Sequence, residues 1–259
     1  MVNKVLLIGI NYTGTNSELN GCINDVNNMR KYLEKHYHID QLKIMTDNSK
    51  SKLYPSKKNI IRQLKWLSKN AQDGDNLFLH YSGHGTQTID YSGSEEDGKD
   101  ECICPIDGNI IKDDDLRKYL VNPLFNNVKL VCIFDCCHSG TILDLKYHYK
   151  GQIKKESFLN KFICFMNNNK NYNKNKSKAI IININGSRDF ETAADAYINW
   201  NYSGAMTYSL LTTLKSNHNI TYTDLINEMN ILLKRKRYTQ RSQLCCDNKE
   251  DINLVVELL

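Results

Sequence analysis

The sequence predicts an α/β domain wound around a mostly parallel sheet, with helices on both faces. Two observations carry that expectation. Four short apolar runs, Val5–Ile10, Leu77–Tyr81, Leu130–Phe134 and Ala179–Ile184, are nearly continuous and show little polar alternation. Strands read this way when both of their faces are covered. The stretches between them carry helical periodicity instead, and strands alternating with helices give a doubly wound sheet.

The elements follow in chain order. Val5–Ile10 opens the chain as a buried strand. Val26, Met29, Leu33 and Tyr37 fall on one helical face, as do Ile60, Leu64 and Leu67. Leu77–Tyr81 is the second core strand and runs into Ser82-Gly83-His84-Gly85. Leu130–Phe134 is the third and runs into Asp135-Cys136-Cys137-His138. After Ala179–Ile184, two more helical faces appear: Met206, Leu210, Leu211 and Leu214, then Leu225, Met229 and Leu232. Residues 167–178, NNNKNYNKNKSK, are polar and of low complexity, so they read as an exposed, mobile loop. The expected organisation is one domain, 1–259: a larger part over 1–147, a polar loop over 148–178 and a smaller part over 179–259.

Composition excludes several classes. With 24% charged and 41% hydrophobic residues the chain is an ordinary globular one. A net charge of +5 is too mild and too evenly spread to argue for nucleic acid. The one dense basic run, Lys234 to Arg237, reads as a solvated helix end complementing the helix dipole. No apolar stretch reaches the length of a membrane span, so no membrane partner is expected. Nine cysteines, with no cleavage-site pattern near the start, predict free thiols in a reducing compartment, the cytoplasm.

The chemistry-bearing residues sit where two core strands end, and in open α/β sheets that edge is where sites form. Glycines on both sides of His84 leave backbone amides unobstructed. If the strands ending at Ser82 and Asp135 are parallel neighbours, His84 and Cys137 share one sheet edge. A histidine beside a cysteine stabilises the attacking thiolate. The adjacent Cys136 and Cys137 admit four readings: zinc ligands, a redox pair, small buried hydrophobes, or one nucleophile beside a passenger. Zinc is not expected, since no C-x-x-C pair completes a structural site. Cys102, Cys104, Cys245 and Cys246 read as core packing. Gly9 and Gly14 imitate a phosphate loop, but Thr15-Asn16 follows where Lys and Ser/Thr are needed. No dinucleotide glycine pattern and no serine nucleophile elbow occur. The acidic stretches 94–101 and Asp113-Asp114-Asp115 fit either a solvated face at a helix start or a hard-cation site.

The order of these stretches resembles a metacaspase, of the caspase-like cysteine peptidase clan. The resemblance lies in LLIGINYTGTNSELNGCINDV (6–26), LHYSGHGTQ (79–87), EEDGKDECICPID (95–107), IFDCCHSGTILDL (133–145), SRDFETAADA (187–196) and GAMTYSLL (204–211). It implies the caspase-like fold and a cysteine endopeptidase that cleaves after Arg or Lys. It also implies His84 and Cys137 as the catalytic pair, with Cys136 a passenger and the amides of Gly85 and Cys137 as oxyanion donors. Asp25 and Asp135, with Ser82 and Cys22 nearby, match the family's pocket for the basic side chain. Asp100, Asp113, Asp114 and Asp144 match its calcium ligands, so activating Ca²⁺ is the expected cofactor. Protein or peptide substrates, a monomer and self-cleavage within the lysine-rich 148–178 loop complete the implication.

The chain departs from the family in places. The caspase signature Q-A-C-x-G is absent, although His84 precedes Cys137 by the ~50 residues that signature family shows. Many members carry a Pro/Gln-rich or zinc-finger segment ahead of this domain. Here the sequence starts at its first strand, which suggests the minimal form. The connection from Leu145 to Ala179 is unlike the long-linker plant class. Ser94 and Ser187 stand where Asp and Cys are common. The competing readings are a catalytically silent scaffold and a calcium-regulated binding module.

Overall fold

The computed structural model describes residues 1–48, 53–91, 93, 98–125, 127–137, 139–151, 179–187, 195–198 and 201–259. Most of the polar 148–178 segment and much of the 187–196 motif lie outside these residues, as does His138.

A seven-stranded sheet forms the centre. Its strands are β1 (Asn3–Gly9), β2 (Gln41–Thr46), β3 (Asn76–Ser82), β7 (Lys129–Asp135), β8 (Tyr147–Tyr149), β9 (Ile180–Ser187) and β12 (Arg241–Cys246). The spatial order is β2-β1-β3-β7-β9-β12-β8. The first five pair in parallel, and β12 and β8 close one edge antiparallel. The remaining strands, β4 (Gly85–Ile89), β5 (Lys99–Ile103) and β6 (Ile111–Lys112), make a small antiparallel sheet that follows β3. A short hairpin pairs β10 (Asp195–Ile198) with β11 (Asn201–Gly204). The central sheet is therefore mixed but mostly parallel, as the sequence predicts.

The continuity of the apolar runs has a direct cause. In β1, Leu6 and Ile8 join one apolar cluster while Val5 and Leu7 join the other. Alternate side chains point to opposite faces, and both faces are buried. Helix α2 (Lys57–Ser68) covers the first face with Ile60, Leu64 and Leu67. Helices α1 (Cys22–His36), α4 (Ala205–Ser216) and α5 (Tyr222–Arg235) cover the second. Adjacent Cys245 and Cys246 on β12 divide between the two clusters, so each packs as a small hydrophobe. In α5 the buried position is Leu233, with Leu232 half-buried, one place along from the expected face. The basic run Lys234–Arg237 ends that helix and is exposed. Among the described residues no disulfide joins the cysteines, and no helix is long and apolar enough to cross a membrane.

One core residue makes the fold sensitive to acid. His80 on β3 is fully buried and hydrogen-bonds Thr207 Oγ1 of α4 through Nε2 at 3.1 Å. Burial pushes its pKa down to about 3. In the unfolded chain it titrates near ~6.5. Below that pH the unfolded state binds a proton that the folded state refuses, so stability falls as pH drops from about 6.5 towards 3. His80→Gln should flatten this limb by up to about 1.4 kcal/mol per pH unit. Urea titrations of both proteins between pH 7 and 4.5 check it, and parallel pH dependences would refute it.

Candidate active site

The register between β3 and β7 builds the site. Ser82 lies opposite Asp135, so the chain leaves both strands at the same level. Three residues beyond Ser82 and two beyond Asp135, the two loops lock together at Gly85 and Cys137. A Cβ placed there would sit 2.0 Å from the Cys137 carbonyl oxygen and 3.1 Å from Cys136 Sγ. Only glycine permits that approach. The structure thus brings His84 and Cys137 to one edge, each flanking this contact.

His84 is held on every side. Its Nε2 lies 2.7 Å from the Ser17 carbonyl oxygen. A carbonyl only accepts, so Nε2 carries the proton and Nδ1 is left as the basic nitrogen. The His84 amide donates to Tyr12 Oη at 2.9 Å, and its carbonyl accepts from Tyr81 Oη at 2.8 Å and the Cys104 amide at 3.1 Å. The Tyr12 ring packs against the imidazole, tilted by 41° with centroids 4.6 Å apart. Tyr12 also donates to the Cys104 carbonyl at 2.5 Å. Its φ of +52° is uncommon for a bulky residue, a strain that the surrounding bonds impose. Burial raises the Tyr12 and Tyr81 phenols above their ordinary values, so both remain neutral hydrogen-bonding groups. Sequence reading finds no third member to orient His84. It is a backbone carbonyl, which no side-chain motif records.

The two cysteines separate by environment. Cys136 packs into the apolar cluster, and burial raises its thiol well above the ordinary value. A group so held stays a thiol and is a poor nucleophile. Cys137 is 7% exposed and belongs to neither large cluster among the described residues.

Beside this pair lies a buried anionic pocket. Asp25 on α1 accepts Ser82 Oγ at 2.8 Å, the Ser203 hydroxyl, and the Gly204 amide at 2.9 and 3.0 Å. Asp135 accepts the Thr207 amide at 2.8 Å and Gln240 Nε2 at 3.4 Å. The Gly204 and Thr207 donors are orphan amides at the start of α4. The carboxylates converge on Gly204: a Cβ there would lie 2.2 Å from Asp135 Oδ2 and 2.8 Å from Asp25 Oδ2. Burial, with the Asp135 charge adding to it, raises Asp25 to about 8. Cys22 opens α1 one turn before Asp25 and is buried. Ser203, Gly204 and Gln240 are members that sequence reading did not find.

A second acidic group gathers around β5 and the start of α3 (Asp113–Leu116). One carboxylate oxygen from each of Asp100, Asp113 and Asp114 falls within 4.8 Å of the others. Asp114 opens to solvent while the other two are buried. Lys112 Nζ sits 2.5 Å from Asp100 Oδ2. Asp113 accepts the amides of Glu101 at 2.6 Å and Asp114 at 2.8 Å. Burial first, and then the Asp144 charge, push Asp113 upwards. Asp144 is buried and acts on Asp113, but stands outside the three-carboxylate grouping. Several hard oxygens whose charge is only partly balanced by Lys112 fit a hard cation such as Ca²⁺.

Comparison with known proteins follows this geometry. The family model for "Metacaspase, peptidase C14 domain" matches residues 3–146. Metacaspase-1 of Debaryomyces hansenii is 39% identical over 97% of this chain and 66% of its own length. Metacaspase-1B of Neurospora crassa is 40% identical over 98% of this chain and 68% of its own. The chain thus spans about two thirds of the length of these relatives. The crystal structure of a Geobacter sulfurreducens protein superposes with a TM-score of 0.67 at 22% identity, over 99% of this chain and 100% of its own, and shows the same fold.

Tyr12 provides a test of the histidine cradle. Tyr12→Phe keeps the ring that packs against His84 but removes the partner of one backbone amide and one carbonyl. It should cost about 1–3 kcal/mol of stability. It should also slow alkylation of Cys137 by iodoacetamide in the folded protein, because His84 loses its fixed position. Denaturant unfolding and the alkylation rate measure both, and wild-type values for both would remove Tyr12 from the site.

Proposed function

The chain belongs to the metacaspase family of cysteine peptidases, and from that premise we propose an endopeptidase that cleaves after Arg or Lys, uses Cys137 and His84, and is activated by Ca²⁺. The lock at Gly85, which holds the His84 and Cys137 loops against each other, is the observation that supports it most. Protein or peptide chains presenting a basic residue are the proposed substrates. Self-cleavage at lysines of the 148–178 segment is proposed as well; beyond Gly151 those residues lie outside the described ones.

The chemistry follows from the hydrogen bonds. With Nε2–H fixed on the Ser17 carbonyl, Nδ1 takes the Cys137 thiol proton. The thiolate attacks the scissile carbonyl carbon, and the carbonyl electron pair moves onto oxygen. The amides of Gly85 and Cys137 are the proposed donors to that oxyanion. The intermediate collapses, the C–N bond breaks, and the leaving amine takes the proton from His84. Water then attacks the thioester and gives His84 a proton, which returns to the departing thiolate. Only one imidazole position is needed throughout, which accounts for the number of bonds that fix it.

Asp25 and Asp135 give the pocket its preference. Two buried carboxylates facing each other destabilise one another, and a guanidinium or ammonium relieves that repulsion. An acidic substrate residue would worsen it. At the second acidic group Ca²⁺ would supply the positive charge that Asp100, Asp113, Asp114 and Asp144 lack.

Hydrolysis of short Arg-, Lys- and Asp-terminated fluorogenic peptides, with Ca²⁺ and with chelator, tests the whole reading. Arg and Lys peptides should turn over, Asp peptides should not, and chelator should suppress the rate. Cys137→Ala should abolish turnover and Cys136→Ala should keep most of it. Inactive wild type under all conditions would favour the silent-scaffold reading, and loss confined to Cys136→Ala would reverse the assignment.

The anionic pocket has its own pH signature. Below about 8 Asp25 holds a proton in the empty pocket, so a cation binds to a single charge. Binding of benzamidine, which stays cationic throughout, should tighten as pH rises from 6 to 8 and level off above. Asp25→Asn should flatten that dependence. Asp135→Asn should cost about 2–5 kcal/mol in kcat/KM for Arg peptides. Inhibition constants across pH decide this, and a wild-type slope in Asp25→Asn would place the titrating group elsewhere.

A further inference from the structure

Two side chains tie the nucleophile loop to the acidic group formed by Asp100, Asp113 and Asp114. Arg117 directly follows α3 (Asp113–Leu116), the short helix that carries two of the three carboxylates. Its backbone N–H donates to the carbonyls of Asp113 and Asp114. Its guanidinium reaches the other way: Nη1 donates to the carbonyls of Leu143 at 2.9 Å and Asp144 at 2.8 Å. Asp247 Oδ2, at 4.0 Å from Nη2, steadies it from β12's end. The second tie starts at Glu101, whose amide donates to Asp113 Oδ2. The Glu101 carboxylate accepts the hydroxyl of Thr141. Thr141, Leu143 and Asp144 all belong to the loop that begins at Cys137. Asp144 turns that loop through a φ of +49°, a conformation that needs support from outside.

We propose that Arg117 and the Glu101–Thr141 pair are the positioning residues through which occupancy of the acidic group sets the loop that carries Cys137. The inference rests on the reading of that group as a Ca²⁺ site and deepens it. A cation drawing Asp113 and Asp114 together fixes α3, and α3 fixes the backbone of Arg117. Its Nη1 then holds two consecutive carbonyls, those of Leu143 and Asp144, while Nη2 faces Asp247. The Glu101 arm holds the loop two residues nearer to Cys137. Both arms are short chains of direct bonds, so a small displacement at the acidic group is passed on instead of being absorbed by solvent. Their bonds run from the acidic group to the loop's backbone and the Thr141 hydroxyl, so both act by position.

The experiment uses the whole chain as wild type, Arg117→Met, Thr141→Val and the double variant. Calorimetry with CaCl₂ reads binding, and the rate of Cys137 alkylation by iodoacetamide, with and without Ca²⁺, reads the loop without needing any substrate. Ca²⁺ should speed alkylation of the wild type by about tenfold, in the range of typical coupling between sites. Each single variant should shrink that ratio, and the double variant should bring it close to one while still binding Ca²⁺. If Arg117 mattered only by its charge, removing it would tighten Ca²⁺ binding and leave the acceleration intact. A double variant that binds Ca²⁺ and keeps the full acceleration overturns the inference alone. A wild type that shows no heat of binding, or no acceleration, overturns the Ca²⁺ reading and the inference with it. Should Arg117→Met fail to fold, Arg117→Gln with Thr141→Val serves instead. Its side chain is too short to span from α3 to both carbonyls, so the ratio should fall in the same direction.

Discussion

The pairing of β3 with β7 is the constraint on which the rest of the molecule depends. It puts Ser82 opposite Asp135, and every other relation in the site is counted from that pair. Three residues beyond Ser82 the loops close on each other, Gly85 against the Cys137 carbonyl. A slip of one residue would turn the buried side chains of a strand to the other face, and both faces here are covered. The register therefore cannot drift without exposing Leu79 and Phe134 or burying them in the wrong cluster. The hydrophobic core and the site share one geometric determinant, so a chain that folds at all has its histidine and cysteine loops in contact.

Negative charge is distributed around the site in a way the fold alone does not favour. Asp25 and Asp135 are buried in one group, Asp100 and Asp113 in another. Each group is partly compensated from within: the first by the amides that begin α4, the second by Lys112. Burial, and after it the charge of the neighbouring Asp135 or Asp144, still raises Asp25 and Asp113 above the ordinary carboxylate range. Buried like charges of this kind are costly unless a cation arrives. Stability foregone in the free protein becomes affinity for whatever cation fits. On the proposed reading a substrate side chain fills one group and a metal ion the other, and the nucleophile loop continues from the strand of Asp135 and is bonded to the neighbours of the second.

Much of this was legible in the sequence, for identifiable reasons. Four core strands announce themselves because both faces are buried and the residues are apolar throughout. The glycines around His84 mark a place where backbones touch. By contrast β2 buries only Met45 and Thr46 fully, so it leaves no continuous apolar run. Strand β12 buries Ser242 and Gln243 beside its apolar residues, and reads as polar. Leu232 and Leu233 are adjacent and equally apolar, and only packing against α4 and its neighbours distinguishes them. The Ser17 carbonyl that orients His84 has no side-chain signature at all. Tyr12 and Tyr81 meet across 69 residues of sequence, and each alone looks like one more aromatic in a chain that has 15 tyrosines.

The nucleophile loop is fastened unequally at its two ends, and that inequality gives it a direction of response. Near Cys137, Ser139 Oγ bonds the Cys136 and Gly186 carbonyls at 3.0 and 3.1 Å, and Cys245 Sγ meets the Gly140 carbonyl at 3.2 Å. Gly186 and Cys245 belong to β9 and β12, strands inside the central sheet, and they move only if the core does. At the far end His148 Nε2, on β8, bonds the Leu145 carbonyl at 2.9 Å. Between these fixed points lie Thr141, Leu143 and Asp144, held from the side of the acidic group instead. The middle of the loop, whose Ile142 and Leu143 pack in the core, is thus the part that the acidic group reaches directly. Adjustment there reaches Cys137 as a change in orientation about the Ser139 anchor, while Asp135, on the strand side of that anchor, stays where β7 puts it. A signal entering through the acidic group should therefore act on the reacting thiol and leave the substrate's basic side chain bound as before.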